Sequence, residues 1–258
     1  MVKILSIVKN EVDIVRAWVK YHASLVGLKN LVVLDNESTD GTKEALLQTG
    51  VTVISVPDYR LKGQYMTELA RKSPTEMVIP LDIDEFMVVY DKKTNTISCN
   101  VLSVLVTLPT VPVYKMNYIN VKSLGEYNTA PAQATHGSYA DYGSFAKSFF
   151  HMEKFKGQID HGNHFQTPYY LQTPICLVHY HYRNKNQYFE KIKCNLEGFK
   201  YPLNDLEELK RLVAKKCQGN HHVTSQIAIL EGTFSRPREV IEAGDIDLSP
   251  LMRKILSL

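Results

Sequence analysis

Apolar residues in the first ninety positions follow two alternating rhythms. Runs without polar alternation occur at 2–10 (VKILSIVKN), 28–35 (LKNLVVLD), 51–57 (VTVISVP) and 77–86 (MVIPLDIDEF). All four read as strands, those at 2–10 and 28–35 as buried ones and the one at 77–86 as buried on both faces of a sheet. Between them, 11–26 sets Ile14, Val15, Trp18, Val19, His22 and Leu25 at helical spacing and stops at Gly27. Trp18 and His22 share that apolar face and are assigned to the core. Residues 36–42 (NESTDGT) form a turn in which Ser38, Thr39 and Asp40 are good caps for a helix over 43–48, and 63–71 is a third helix. Strands alternating with helices predict an α/β fold with a mainly parallel central sheet flanked by helices.

Beyond Tyr90 the rhythm loosens. A polar turn is expected at 92–95, a short helix at 101–108, strands at 111–119, 144–152 and 174–183, and helices at 187–199 and 206–216. Residues 121–144 follow neither period and read as a functional loop, a place for acceptor contacts or a lid. The stretch from Gly219 carries no assignment. With no repeat, low-complexity tract or linker, the 258 residues are read as one domain: a nucleotide-binding half (1–90), an acceptor and metal half (91–183) and a helical C-terminal extension (184–258).

The strand at 77–86 is the one that ends in chemistry, because its apolar run stops at Asp82, Asp84 and Glu85. The carboxyl ends of strands are where open α/β sheets bind ligands. If the strand stays extended, Asp82 and Asp84 point to one side with Cα atoms about 6.5–7 Å apart. A divalent cation would relieve their repulsion, and oxygen ligands favour Mg²⁺ or Mn²⁺. The plain alternative is a solvated acidic strand end or a helix cap.

Composition narrows the class. Hydrophobic content of 44% and charged content of 22% are ordinary for a globular protein. A net charge of +3 falls short of the footprint of a dedicated nucleic-acid binder. Cys99, Cys176, Cys194 and Cys217 are scattered without a Cys-x-x-Cys pair and read as reduced thiols, which suits a cytoplasmic location. The first strand leaves no room for a signal peptide and no window has the length of a membrane span, so any membrane contact would be peripheral.

Three pieces occur in order: KNE (9–11) with W-x-x-Y-H (18–22) and Gly27; LDNESTDGT (34–42); and LDIDEF (81–86) with Gln64 upstream. Together they resemble the GT-A glycosyltransferases of the family-2-like group, closest to the branch that includes glycosyltransferase family 92. Lys147, His164 and HYRNKNQYF (181–189) are similar to that branch's downstream Lys, His and His-Tyr-x-x-Lys elements, although the last spacing is one residue short and 119–143 matches nothing. The resemblance implies the GT-A fold and transfer of a sugar from a nucleotide-sugar donor, uridine-linked by preference, to a glycan or other hydroxyl acceptor with inversion. By resemblance Asp84 ligates Mn²⁺ or Mg²⁺ directly, Asp82 contacts the ribose or the metal through water, and Glu85 lies behind them. A late histidine completes the metal site in many such enzymes. His179 and His181 are the candidates, His181 favoured because Lys185 follows it at the family's spacing and could meet a phosphate. Asp35 stands where the family's carboxylate reads the nucleobase. Asn10 and Glu11 line the same crevice or cap the first helix, while Arg60 and Lys62 face the diphosphate or form an exposed basic turn.

Inverting transfer needs a base within hydrogen-bond reach of the acceptor hydroxyl. Asp141, Glu153, Asp160, His161 and His164 are the candidates, Asp141 first for its place at the aperiodic loop and Asp160 next. Competing classes are a nucleotidyltransferase, which would open on a glycine-rich loop where this chain has KNEVD, a haloacid-type phosphatase, whose Asp pair belongs after the first strand, and an inactive nucleotide- or carbohydrate-binding module.

Overall fold

The computed structural model describes residues 1–72, 77–122, 131, 133–235 and 244–258. Its first part follows the predicted alternation: β1 (Val2–Val8), α1 (Val15–Val26), β2 (Leu31–Asp35), α2 (Thr42–Thr49), β3 (Thr52–Ser55), α3 (Lys62–Lys72) and β4 (Met77–Asp82). Then come β5 (Glu85–Asp91), β6 (Thr96–Ser98), α4 (Val101–Leu105), β7 (Val113–Val121), β8 (His136–Ala140), β9 (Lys147–His151) and β10 (Leu171–His179). The chain closes with α5 (Lys185–Gly198), α6 (Leu206–Ala214), α7 (Asn220–Leu230), β11 (Ile246–Asp247) and α8 (Ser249–Leu256).

One mixed sheet runs β3-β2-β1-β4-β9-β7-β10-β5-β6, with β8 and β11 joined beside β7. β1 to β4 are mutually parallel, as expected for an α/β sheet. β9 is antiparallel to both β4 and β7, and β7 is parallel to β10. Six strands, β1 to β4, β7 and β10, therefore point their carboxyl ends at one edge of the sheet. The antiparallel β5 and β9 begin at that same edge, with Glu85 and Lys147.

The core explains why the apolar runs lack polar alternation. On β1, Ile4 and Val8 face a cluster with Trp18 and Val19 of α1, while Leu5 and Ile7 face another with Met66 and Ala70 of α3. A third cluster joins α5, α6 and α7 through Ile192, Leu196, Leu209 and Val223. Trp18 and His22 are core residues, both fully buried.

Several boundaries differ for identifiable reasons. The run at 28–35 becomes a strand only at Leu31, because residues 28–30 make a 3₁₀ turn in which Asn30 N–H donates to the Gly27 carbonyl. The acidic strand is not extended through 86. It ends at Asp82, turns through Ile83 and Asp84, and restarts as β5 in the opposite direction. The predicted strand at 174–183 ends at His179, with a register break between Gln172 and Cys176, where Pro174 cannot donate to the ladder. Of the predicted loop at 121–144, residues 123–130 and 132 lie outside the described ones, and 136–140 forms β8. Among the described residues, no helix is long and apolar enough to cross a membrane.

Candidate metal and phosphate site

A cavity of about 640 Å³ opens at the shared sheet edge, walled on its far side by α5 and by the start of α7. Register brings distant residues together there: Ile7 pairs with Asp82, Val8 with Asp35, and His179 lies between Glu85 and Asn120.

Asp84 sits at the centre, its side chain only 2% exposed. One ligand atom each from Asp84, His179 and His181 lies within 4.8 Å of the others, and the His179 Nε2 is 3.7 Å from Asp84 Oδ2. Lys191 of α5 donates to the same Oδ2, and its Nζ lies 3.5 Å from His181 Nδ1. Burial pushes the Asp84 carboxyl up, but the Lys191 ammonium and His179 outweigh it and hold the group well below the usual carboxylate range. His181 is also pushed well below its ordinary value, by burial first and then by Lys191, which for an imidazole favours the neutral ring. Its Nε2 is buried and, among the described residues, has no hydrogen-bond partner. His222 of α7 is buried, stacks near His181 with ring centroids 6.2 Å apart, and leaves its Nδ1 likewise without a partner.

An orphaned imidazole nitrogen beside a carboxylate and a second imidazole fits a divalent cation. Asp84, His179 and His181 are the residues that could hold one. His181 takes part although it lies past the end of β10, so the two histidines converge through the bend after the strand and not by alternation along it.

Asp82 faces a different partner set. Its two oxygens accept from Lys62 Nζ at 2.7 Å and from Lys147 Nζ at 2.6 Å, and its side chain is 37% exposed. Asp82 is outside the ligand cluster because the turn at Ile83 and Asp84 separates the two carboxylates, and both its oxygens carry lysines. Burial would raise its pKa, yet Lys147 and Lys62 keep it ionised. Glu85, buried behind it, accepts the Asp82 N–H at 2.8 Å and meets Lys147 at 3.0 Å, which fixes the turn.

The remaining predicted residues divide. Glu11 lines the cavity but is claimed by Arg183, which also binds Asp13 at 2.7 Å. Asn10, at φ 55°, accepts the Thr39 N–H and donates to Cys194 Sγ, tying the loop at 36–42 to α5 instead of facing the cavity. Asp35 is buried just behind the wall, where Asn36 is the lining residue. Its Oδ2 accepts the Ser38 N–H at 3.4 Å, and its Oδ1 has no partner among the described residues. Arg60 points outward in an exposed pair with Asp58 and not at a diphosphate. Lys185 opens α5 beside the Phe189 ring, outside the cavity.

The two leading base candidates also fall outside. Asp141 is 54% exposed and paired with Lys92 and Tyr139, and Asp160 caps its own loop by accepting the His164 N–H. Glu153 is exposed beside Lys154. His161 and His164 do line the cavity, each pushed down to about 4, chiefly by burial, with Lys62 acting on the first and Lys147 on the second. Lys191, His221 and His222 are cavity residues that the sequence alone did not single out. Their signal was faint: Lys191 is one of several lysines on an amphipathic helix, and the His-His pair lies in the unassigned stretch.

No protein-family model matches the chain, and no curated protein sequence does either. Among solved structures, the chain is similar to glucosyl-3-phosphoglycerate synthase from Mycobacterium tuberculosis in complex with Mg²⁺ and uridine diphosphate. The match has 20% identity over 46% of this chain and 43% of that one, at a TM-score of 0.35. The chain thus spans less than half the length of that structure. The same enzyme with Mn²⁺ and uridine-diphosphate-glucose matches at 16% identity over 78% of this chain and 80% of that one, at a TM-score of 0.40.

Proposed function

We propose that the protein is a metal-dependent glycosyltransferase of GT-A type, related to the family 92 branch. It would move a sugar from a nucleotide-sugar donor, uridine-linked by preference, to a hydroxyl acceptor with inversion. One observation carries the reading: two carboxylates, Asp82 and Asp84, meet two imidazoles and three lysines at the carboxyl edge of the sheet, the groups coming from five separate segments. The sequence resemblance in LDIDEF and DNESTDGT supports it.

Asp84, His179 and His181 would hold the ion, and two imidazoles with one carboxylate favour Mn²⁺ over Mg²⁺. An ion there supplies charge neutralisation on a departing nucleoside diphosphate without proton transfer. The chain's own residues do the rest. Lys62 and Lys147 pin the Asp82 carboxylate at the strand end, where by resemblance it meets the ribose. Tyr59, in edge contact with His161 at 4.7 Å, and Phe199 form an aromatic wall beside it. His161 and His164, held neutral, are the cavity groups positioned to accept a proton from an acceptor hydroxyl.

A ligand that binds only the native state stabilises it by about 2.7 kcal/mol at 100 times its dissociation constant. Uridine diphosphate with Mn²⁺ should therefore raise the melting temperature by several degrees, and neither should do so alone. Asp84→Asn should remove the joint shift, and His181→Ala should weaken it more than His179→Ala. A screen of nucleotide sugars showing no Mn²⁺-dependent shift, or an undiminished shift in Asp84→Asn, would sink the proposal.

A further inference from the structure

The ammonium of Lys191 touches two members of the ligand set, Asp84 and His181. It donates to Asp84 Oδ2, the oxygen 3.7 Å from His179 Nε2, and lies 3.5 Å from His181 Nδ1. It thus occupies the carboxylate oxygen that a divalent cation held by Asp84 would take. We propose that Lys191 is an internal counter-ion for this site, displaced when the ion enters and passed to the donor's diphosphate, so that ion and nucleotide are bound cooperatively. This rests on the functional reading above.

Charge requires the exchange. A buried carboxylate without a counter-charge is costly, so Asp84 needs Lys191 while no ion is bound. A divalent ion and an ammonium on one buried carboxylate repel strongly, because little water lies between them to screen the charges, so both cannot remain on Asp84. Lysine can move, because its charge rides on a flexible four-carbon stem. The other acidic groups of the cavity are already committed: Glu11 to Arg183, Asp82 to Lys62 and Lys147, and Glu85 to Lys147. The cavity wall carries four lysines against four carboxylates, so it is balanced before any ion enters. An entering ion leaves two excess positive charges and an unpaired ammonium, and a nucleoside diphosphate is an anion that satisfies both.

Mn²⁺ binding to the full chain, followed by electron paramagnetic resonance with and without uridine diphosphate, tests this. The parent should bind Mn²⁺ weakly alone and at least 10-fold more tightly with the nucleotide. Lys191→Met should bind Mn²⁺ alone at least 10-fold more tightly than the parent, and the nucleotide should then add less than about 3-fold. Lys191→Arg, which keeps a cation on Asp84, should behave as the parent. If Lys191→Met is unstable, Mn²⁺ without nucleotide should restore its melting temperature, because the ion replaces the missing ammonium. Parent-like Mn²⁺ affinity and coupling in Lys191→Met, or no rescue by Mn²⁺, overturns the counter-ion role and leaves the functional reading intact. A parent that binds no Mn²⁺ with or without nucleotide overturns both.

Discussion

At the residue scale, the site is governed by which charge neutralises which, and the clearest case is Arg183. Its guanidinium is buried and bridges Glu11 and Asp13, with a further hydrogen bond to the Tyr180 carbonyl at 3.2 Å. That joins the end of β1 to the bend after β10. Burial alone would disfavour the charge, but Glu11 and then Asp13 hold Arg183 ionised. Removing one partner of such a pair costs about 3–5 kcal/mol, because the other charge stays buried and alone. Arg183→Ala should therefore lose about that much stability in urea unfolding, and Glu11→Leu with Arg183→Met should recover a large part of it. A loss under about 1 kcal/mol in Arg183→Ala would mean that Glu11 is satisfied by solvent or by Gln187. The sequence shows Glu11 at a strand end but not its partner 172 positions away, so a ligand role and a structural one were equally open. Lys185 and Lys191 teach a related lesson. Motif spacing selects Lys185, but six residues of helix at 3.6 per turn leave the two lysines about 120° apart. Only Lys191 faces Asp84.

At the element scale, β1, β2 and β4 were legible because their runs are buried on both faces and so carry little polar alternation, whereas β3 is an exposed edge strand read from its β-branched residues. The turn after β4 was not, since Ile83 is apolar and lets DIDEF pass for a continuous strand. α7 was hidden for another reason. Its N-cap is Gly219 with no side-chain cap, and its first turn contains two histidines, which are indifferent helix formers. α3 looks weakened by Gly63 in the sequence, yet packing explains that glycine. A Cβ there would meet the Ile159 carbonyl oxygen at 2.5 Å and the His161 nitrogen at 3.3 Å. Backbone cannot yield as a flexible side chain can, so Gly63→Ala must push α3 away from the loop that carries His161. Overpacking of this kind typically costs about 1–3 kcal/mol. Gly63→Ala should lower stability by that amount and weaken nucleotide binding as well, because Lys62 is the adjoining residue and reaches Asp82 from it. Unchanged stability and affinity would show that the loop moves freely and does not set the position of Lys62.

At the scale of the whole molecule, strand direction is what collects the chemistry. The sequence places Asp82 and His179 within the strands expected at 77–86 and 174–183, but only the structure ends those strands there, and only the order of the sheet puts both residues at one edge with Lys147 and Glu85, which begin strands of the opposite direction. Gathering these groups has an acid-side consequence. His22, in the apolar core, is pushed down to about 3 by burial, and His161 and His164 to about 4, against an ordinary value near 6.5. A depressed histidine is neutral in the native chain and protonated in the unfolded one below about 6.5. Between that pH and its native pKa the unfolded state binds the extra proton, so stability falls as pH falls. Each such histidine contributes up to about 1.4 kcal/mol per pH unit. Asp82 and Asp84, held low by their lysines, lose their stabilising effect only at more acid pH, below the ordinary carboxylate range near 4. Urea unfolding of the ligand-free protein at pH 7, 6 and 5 should accordingly show stability declining already above pH 5, before carboxylates titrate. His22→Leu should reduce that slope by about one histidine's share, since its ring packs among Trp18, Tyr21 and Phe86 without a partner on Nε2 among the described residues. A parent whose stability is flat from pH 7 to 5 would mean that the native chain takes up these protons, and that its buried imidazoles reach water.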